Sequence, residues 1–234
     1  MDDAAYRDEY VQALFDRMGP TYDIVNVLSS FGFCTLWRRQ CVRNAGIGPG
    51  DRVCDMMAGS GECWDHVPKD CSSLVSIDFS PEMIARQKKR NGRSHRRVKI
   101  LGENALRTSL QDSSVDCVFS AFGLKTLSPE SLRQFASEIY RILKPGGRFS
   151  LLEISTAEGW VLGPVFRWYV GSVIPWIGRF CLGDIECYRM LGLYTAAFGS
   201  CHGVAPAVAE AGLHVSVRSH FHGCASSLIG TKPG

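Results

Sequence analysis

The segment Asp55-Met56-Met57-Ala58-Gly59-Ser60-Gly61 puts an acid at the end of a short apolar run and two glycines in the turn that follows. Glycine suits a turn whose backbone must approach a ligand closely or take a positive φ, because a Cβ obstructs both. A second acid, Asp78, closes the next apolar run, where a carboxylate can accept hydrogen bonds from the two hydroxyls of a ribose. Beyond a third run comes Gly102-Glu103-Asn104-Ala105, in which Asn104 offers an amide where an adenine edge would lie.

A nucleoside-type ligand follows from this pattern, and two cofactor classes compete for it. A nicotinamide dinucleotide calls for GxGxxG, whose third glycine lets the helix pack under a pyrophosphate. Here Trp64 stands three residues beyond Gly61, which fits poorly. S-adenosylmethionine carries no phosphate and needs no such cradle, so it is the expected cofactor.

Cysteine and histidine chemistry is the other candidate. The ten cysteines form no CxxC pair, and the densest group is His220-Phe221-His222-Gly223-Cys224. In an alternating strand His220, His222 and Cys224 share one face, which could ligate zinc. A buried strand face with hydrogen-bonded histidines is the preferred reading, and no metal is expected. The first residues include Asp2, Asp3, Arg7, Asp8 and Glu9, unlike a secretory leader. The thiols are therefore expected to be reduced and packed as small hydrophobes in a cytoplasmic protein. No apolar run is long enough for a transmembrane helix. The net charge of +3 gives no case for nucleic acid, and the basic run over 86–97 (Lys88, Lys89, Arg90, Arg93, Arg96, Arg97) reads as a solvated helix end and loop.

Hydrophobic period supplies the elements that must position these residues. Val11, Leu14, Phe15 and Met18 mark a helix that Gly19-Pro20 should end. A second helical run begins near Thr21, and a third spans Cys34 to Ala45. Strands are expected at Arg52 to Met56, Leu74 to Ile77, Val98 to Leu101, Val115 to Phe119 and Phe149 to Ile154. Ser80-Pro81-Glu82 is a helix start, and Pro129 to Leu143 is a helix stopped by Lys144-Pro145-Gly146-Gly147. A last helix at Ala205 to Ala211 and strands at Leu213 to His220 and Cys224 to Thr231 complete the chain. This alternation predicts a doubly wound, Rossmann-like α/β fold with a seven-stranded, mainly parallel sheet and ligands at the carboxyl ends of its strands. One domain is expected: cap helices (1–48), a cofactor-binding core (49–158), inserted lid helices (159–200) and a C-terminal helix with strands (201–234). The insert is apolar and aromatic, interrupted by Pro164, Arg167, Pro175 and Arg179; it reads as a lid, with membrane-surface contact through 160–180 as the lesser reading.

In order and spacing these features resemble the class I S-adenosylmethionine-dependent methyltransferases. More closely, Phe15-x-x-Met18 leading to Tyr22-Asp23-x-x-Asn26, then Ser30-Phe31-Gly32 and Trp37-Arg38, resembles the start of the ubiquinone/menaquinone biosynthesis C-methyltransferases. Ala121-Phe122-Gly123-Leu124, and Tyr169 through Pro175-x-Ile177-Gly178 to Gly183-Asp184-x-Glu186-x-Tyr188, resemble later parts of the same family. The resemblance spans nearly the whole chain, as a divergent member. It implies cofactor contacts at Ser60, Asp78, Asn104, Ala105 and Ala121, with Asp55, Ala58, Gly59 and Gly61 shaping the loop and Phe79 and Met83 beside the adenine. It also implies a substrate pocket at Tyr22, Asn26, Arg38, Phe122 and Tyr188.

The expected reaction is methyl transfer to a small aromatic, phenolic or quinone-like acceptor, at carbon. The alternatives are O- or N-methylation of a specialised natural product and a non-catalytic, methyltransferase-like binding protein. Carbon attack requires that a neighbouring phenol lose its proton, so a base or a cation should sit at the acceptor oxygen. Lys125 stands in Lys125-Thr126 where the family commonly carries Arg-Asn, and is the candidate cation; Tyr22 and His202 are the other catalytic candidates. Glu153, at the end of the fifth strand, either faces the pocket or caps it. A homodimer is the remaining partner expectation.

Overall fold

The computed structural model describes residues 3–93, 97–180 and 184–234, and leaves the side chains of residues 20–22 outside that description. Arg96 of the basic run and Gly183 of the family resemblance fall outside it.

Seven strands form one sheet: β1 (Arg52–Met56), β2 (Ser73–Asp78), β3 (Val98–Gly102), β4 (Val115–Ala121), β5 (Leu143–Ile154), β6 (His214–His220) and β7 (Ala225–Thr231). Their order is β3-β2-β1-β4-β5-β7-β6, with the first five parallel and β7 antiparallel to both its neighbours. The strand order reverses between β1 and β4, which opens a crevice at their carboxyl ends.

Alternation along the strands divides the core between two faces. Val118 and Leu151 pack with Phe135 and Ile139 of α4 (Pro129–Ile142) and with Val208 of α8 (Cys201–Glu210). Phe119 and Leu152 face the other way, against Trp37 and Cys41 of α2 (Phe33–Asn44). Eight of the nine described cysteines are buried as free thiols, so they serve as small core residues. At the start of α3 (Pro81–Asn91), Ser80 caps the helix by accepting from the Met83 amide at 3.2 Å, as its Ser-Pro-Glu sequence predicts.

The sequence pattern misplaces three features. Gly19-Pro20 does not end a helix: α1 runs unbroken from Asp8 to Ser29. Gly19 is a packing position, since a Cβ there would lie 2.3 Å from Cγ of Glu82, where α1 crosses the start of α3. Lys144–Gly147 does not separate helix from strand. Leu143 already pairs with Val115, and the Pro-Gly-Gly segment is a bulge before Arg148 pairs with Cys117. The last helix starts at Cys201, a turn earlier than expected.

The histidine cluster also needs correction. β6 stops at His220, and the chain turns through Phe221 (φ 40°) and His222 (φ 54°), so His220, His222 and Cys224 do not share a strand face. His220 bonds the Ser227 hydroxyl at 2.8 Å, while the His222 ring stacks on Trp160. Among the described residues no His/Cys/Asp/Glu group is arranged to hold a metal. Between β5 and α8 lie α5 (Gly163–Trp168), a π-helical turn (Tyr169–Val173), α6 (Ile174–Phe180) and α7 (Ile185–Phe198), the inserted helices.

Closure of the antiparallel edge depends on Gly230. A Cβ there would lie 1.8 Å from the His214 carbonyl oxygen and 2.7 Å from the Phe149 ring. Gly230→Ala should therefore cost about 1–3 kcal/mol through overpacking, read as a lower urea midpoint at unchanged slope. An unchanged midpoint would mean that β6 gives way freely.

Candidate active site

β1 ends at the crevice, and the chain then turns through Met57 (φ 54°), Gly59 (φ 56°) and Gly61 (φ 80°). A Cβ on Gly61 would lie 2.7 Å from the Trp64 ring, so this glycine lets the indole pack beneath the turn. Buried hydrogen bonds fix the loop. Asp78 Oδ2 accepts from the Gly59 amide at 2.7 Å and its Oδ1 from the Ser80 amide at 3.0 Å. Gln87 donates to the Gly59 carbonyl at 2.7 Å and accepts from Ser76 at 2.9 Å. Trp64 Nε1 donates to Asp55 at 3.0 Å. Burial holds the Asp55 carboxyl well above the usual carboxylate range. Burial likewise pushes Asp78 up to about 6, against the lowering effect of the Ser80 and Gly59 amides.

A cleft opens above this loop. It is lined by Asp55, Ala58, Gly59, Asp78, Phe79, Met83 and Ala121, all expected there, and by Val11, Phe15 and Met57, which the sequence reading missed. Its charged lining is Asp55, Glu62 and Asp78 with Arg38 as the one cation among the described residues. Acids that accept hydrogen bonds from ribose hydroxyls and an ammonium suit S-adenosylmethionine better than a polyphosphate, so the donor set fits that cofactor. When bound, it supplies an electrophilic methyl group to a nucleophile.

The remaining expected contacts are engaged elsewhere. Asp8, Asp16 and Asp23 fall on one face of α1, about two turns apart. Asp8 accepts from Asn104 Nδ2 at 2.6 Å, and Asn104 Oδ1 in turn accepts from the Leu106 amide. Asp16 accepts from the Ser80 hydroxyl and from the Glu82 amide. Asp23 accepts from the Ser60 hydroxyl at 2.9 Å and pairs with Arg86 at 2.5 Å. Ser60 and Asn104, expected on the cofactor, thus bind the carboxylates that α1 brings across them. Neither lines the cleft, nor do Gly61 and Ala105, the latter packed in the core.

A second cavity, of about 380 Å³, lies on the far side of Arg38 and Phe122, the two residues that line both spaces. Its walls are aromatic, from the α1–α2 turn (Phe31), α2 (Phe33, Trp37) and the insert (Trp160, Phe166, Trp168). Asn26, Arg38, Phe122, Lys125 and Tyr188 line it as expected. Arg38 pairs with Glu62 at 2.5 Å, its guanidinium 5.2 Å from the Phe122 centroid. Lys125 Nζ pairs with Glu153 at 2.9 Å, donates to the Phe122 carbonyl at 2.8 Å and lies 5.9 Å from the same ring. Glu153 also accepts from the Lys125 and Ile154 amides, so it holds the lysine from behind. His202 is exposed in the first turn of α8 and lines neither space, its neighbour Cys201 taking the buried position against Ser226 of β7. The Tyr22 side chain lies outside the described residues. Sequence reasoning missed Glu62: it adjoins the glycine turn, but nothing local signals its partner Arg38.

Among solved structures, an S-adenosylmethionine-dependent methyltransferase from Thermotoga maritima, described as a possible histamine N-methyltransferase, shares this fold with a TM-score of 0.66. It is 18% identical over 94% of this chain and 98% of that chain. Fold and family match together define a Rossmann-like, S-adenosylmethionine-dependent methyltransferase. The ubiE/COQ5 methyltransferase family matches residues 3–232, and the chain belongs to it. A demethylmenaquinone methyltransferase of Lactiplantibacillus plantarum is 32% identical over 228 residues, 95% of each chain. The ubiquinone/menaquinone biosynthesis C-methyltransferase UbiE of Rubrivivax gelatinosus is 32% identical over 234 residues, 98% of this chain and 90% of its own.

The Asp78 titration gives a test of the cleft. Its folded pKa of about 6 lies above the ordinary value, so its contribution to stability is full below about pH 4 and is lost as the pH rises through 6. Ligand binding runs the other way, since only the carboxylate accepts on both oxygens. Affinity for S-adenosylhomocysteine, measured by calorimetry, should fall as the pH drops from 7 to 5, and Asp78→Asn should flatten that profile. A flat profile in the parent protein would remove Asp78 from cofactor binding.

Proposed function

We propose that the chain methylates a ring carbon of a small hydroquinone-like acceptor held in the aromatic cavity. The observation that carries this reading is that Arg38 and Phe122 line both spaces, so a ring lying against Phe122 borders the cofactor cleft. The names of the two relatives, a demethylmenaquinone methyltransferase and a ubiquinone/menaquinone biosynthesis C-methyltransferase, support the acceptor class.

Carbon nucleophilicity in such a ring rises when a ring hydroxyl ionises. Among the described residues that line the cavity there is no carboxylate or histidine, and its cations are Arg38 and Lys125. The acceptor therefore enters as the phenolate, its hydroxyl proton already lost to solvent, and the chain stabilises that oxyanion rather than taking the proton onto a carboxylate or imidazole. The proton displaced from the methylated ring carbon leaves to solvent through the cavity mouth. Lys125 has two donors committed, to Glu153 and the Phe122 carbonyl, which leaves its third for that oxygen. Aromatic walls exclude water and hold the ring by stacking.

The test is methylation of a short-chain 2-prenyl-1,4-naphthohydroquinone, with the methylated atom located by NMR. Lys125→Met should lower kcat roughly 10²–10³-fold, the usual effect of removing one oxyanion donor, while the affinity for S-adenosylhomocysteine is retained. Unchanged kcat would dismiss Lys125 from this role, and an O-methyl product would overturn the carbon assignment.

A further inference from the structure

Two of the buried cysteines, Cys34 and Cys224, line the aromatic cavity. Cys34 falls on the buried face of α2 with Trp37 and Arg38, one turn before the arginine, and all three line the cavity. Its amide donates to the Ser30 hydroxyl at 3.1 Å, while its Sγ lies 3.9 Å from the Thr35 hydroxyl, too far to be firmly held. Cys224 is placed differently. Burial pushes its thiol up to about 11, and a thiol kept neutral is a poor nucleophile. Ser29, 6% exposed, also lines the cavity. Its carbonyl accepts from Tyr169 at 2.8 Å, but among the described residues its hydroxyl has no partner. An oxygen on an occupant of the cavity is what this buried hydroxyl lacks. A rotatable hydroxyl holds such an oxygen without fixing the plane of a ring, which is left to the walls.

Oxidation reverses the polarity of a hydroquinone ring. The unsubstituted carbon that takes the methyl is electron-rich in the hydroquinone. In the quinone the same carbon ends a C=C–C=O unit and is electrophilic, and thiols add to such carbons. Negative charge then develops on the conjugated carbonyl oxygen, where Lys125 and Arg38 oppose it. A cavity arranged to stabilise a ring oxyanion therefore stabilises this addition as well. Cys34 lines the cavity but not the cofactor cleft, so its sulfur reaches the ring from the cavity side.

We propose that Cys34 is a covalent modification site for the oxidised, unmethylated quinone form of the acceptor, which rests on the hydroquinone-like acceptor proposed above. The sulfur–carbon bond forms at the ring carbon that otherwise receives the methyl. The C=C pair moves onto the carbonyl oxygen, which takes the thiol proton. The hydrogen of the attacked carbon then passes to the second ring oxygen, leaving a hydroquinone thioether. Thiol and quinone are the only reactants, the quinone being reduced as the sulfur is oxidised. The adduct fills the acceptor cavity, so methylation stops where the acceptor is held oxidised. A ring already methylated at that carbon has no hydrogen there to give up, and the product spares the thiol.

Labelling with the oxidised acceptor tests the proposal. Cys71, the one described cysteine that is not buried, is first replaced (Cys71→Ser) so that a surface thiol does not compete. That protein is treated with short-chain 2-prenyl-1,4-naphthoquinone without oxygen or cofactor, and read by intact mass and peptide mapping. One quinone is expected on Cys34, at a rate that levels off as the quinone is raised. Adding Cys34→Ser should slow labelling roughly tenfold or more, with affinity for S-adenosylhomocysteine retained as the check on folding. The 2-methyl-3-prenyl quinone should leave Cys34 unlabelled. No adduct, an adduct confined to another cysteine, a rate strictly proportional to quinone, or equal labelling by the methylated quinone would each overturn the proposal. Labelling is read without turnover, so its failure is distinct from failure of the methylation assay.

Discussion

Two main-chain amides, of Gly59 and Ser80, converge on the one buried carboxylate of Asp78. The glycine turn after β1 and the start of α3 are thereby tied to the end of β2. Gln87, two turns further along α3, closes the unit by joining the Gly59 carbonyl to Ser76 in the middle of β2. Each partner answers a buried polar group that would otherwise cost about 1–3 kcal/mol. Burial still raises Asp78 to about 6, so the carboxylate lies in the cleft at an electrostatic cost that the two amides only partly relieve. Hydroxyl donors from a ligand would relieve it further, and this makes the same interaction structural and receptive at once.

That constraint places α1. Its three aspartates take donors beyond β3, β2 and β1 in turn, Asn104, Ser80 and Ser60, following the order of the strands in the sheet. A helix of this length extends about 33 Å at 1.5 Å per residue, long enough to cross all three strand ends. Gly19 permits the close crossing over Glu82, and the end of α1 leads into the turn that carries Phe31. One helix thus roofs the cofactor cleft and then contributes to the rim of the acceptor cavity.

Much of this was legible in the sequence where the signal is local. The bounds of β1, the Ser80 cap, the glycine turn and the acid at the end of β2 depend on neighbours within a few residues. Failures occurred where a distant partner decided. Gly19-Pro20 has the composition of a stop, but packing against Glu82 outweighs propensity. Ser60 and Asn104 have the right types for a cofactor, yet their bonds go to aspartates 37 and 96 residues away. Asp8, Asp16 and Asp23 share one face only because α1 runs through Gly19-Pro20, where the sequence pattern ends a helix. His202 was singled out by residue type alone, and a single imidazole carries no information about its position relative to a cavity.

The two spaces on either side of Phe122 are electrostatically opposite. Among the described residues, three acids and one cation line the cofactor cleft, and the charged residues that line the aromatic cavity are both cations. Each cation is held from behind by a carboxylate, Arg38 by Glu62 and Lys125 by Glu153. Buried pairs of this kind add little stability over well-packed apolar residues, because desolvation offsets the attraction. Two of them at the edge of one aromatic ring are better understood as fixing where positive charge stands. Arginine would present a planar fork to an acceptor oxygen, whereas Lys125 has one donor left after Glu153 and the Phe122 carbonyl are served. A single donor cannot set the plane of a ring. On the proposed hydroquinone-like acceptor, orientation must then come from the aromatic walls, with shape rather than hydrogen-bond geometry selecting the ring.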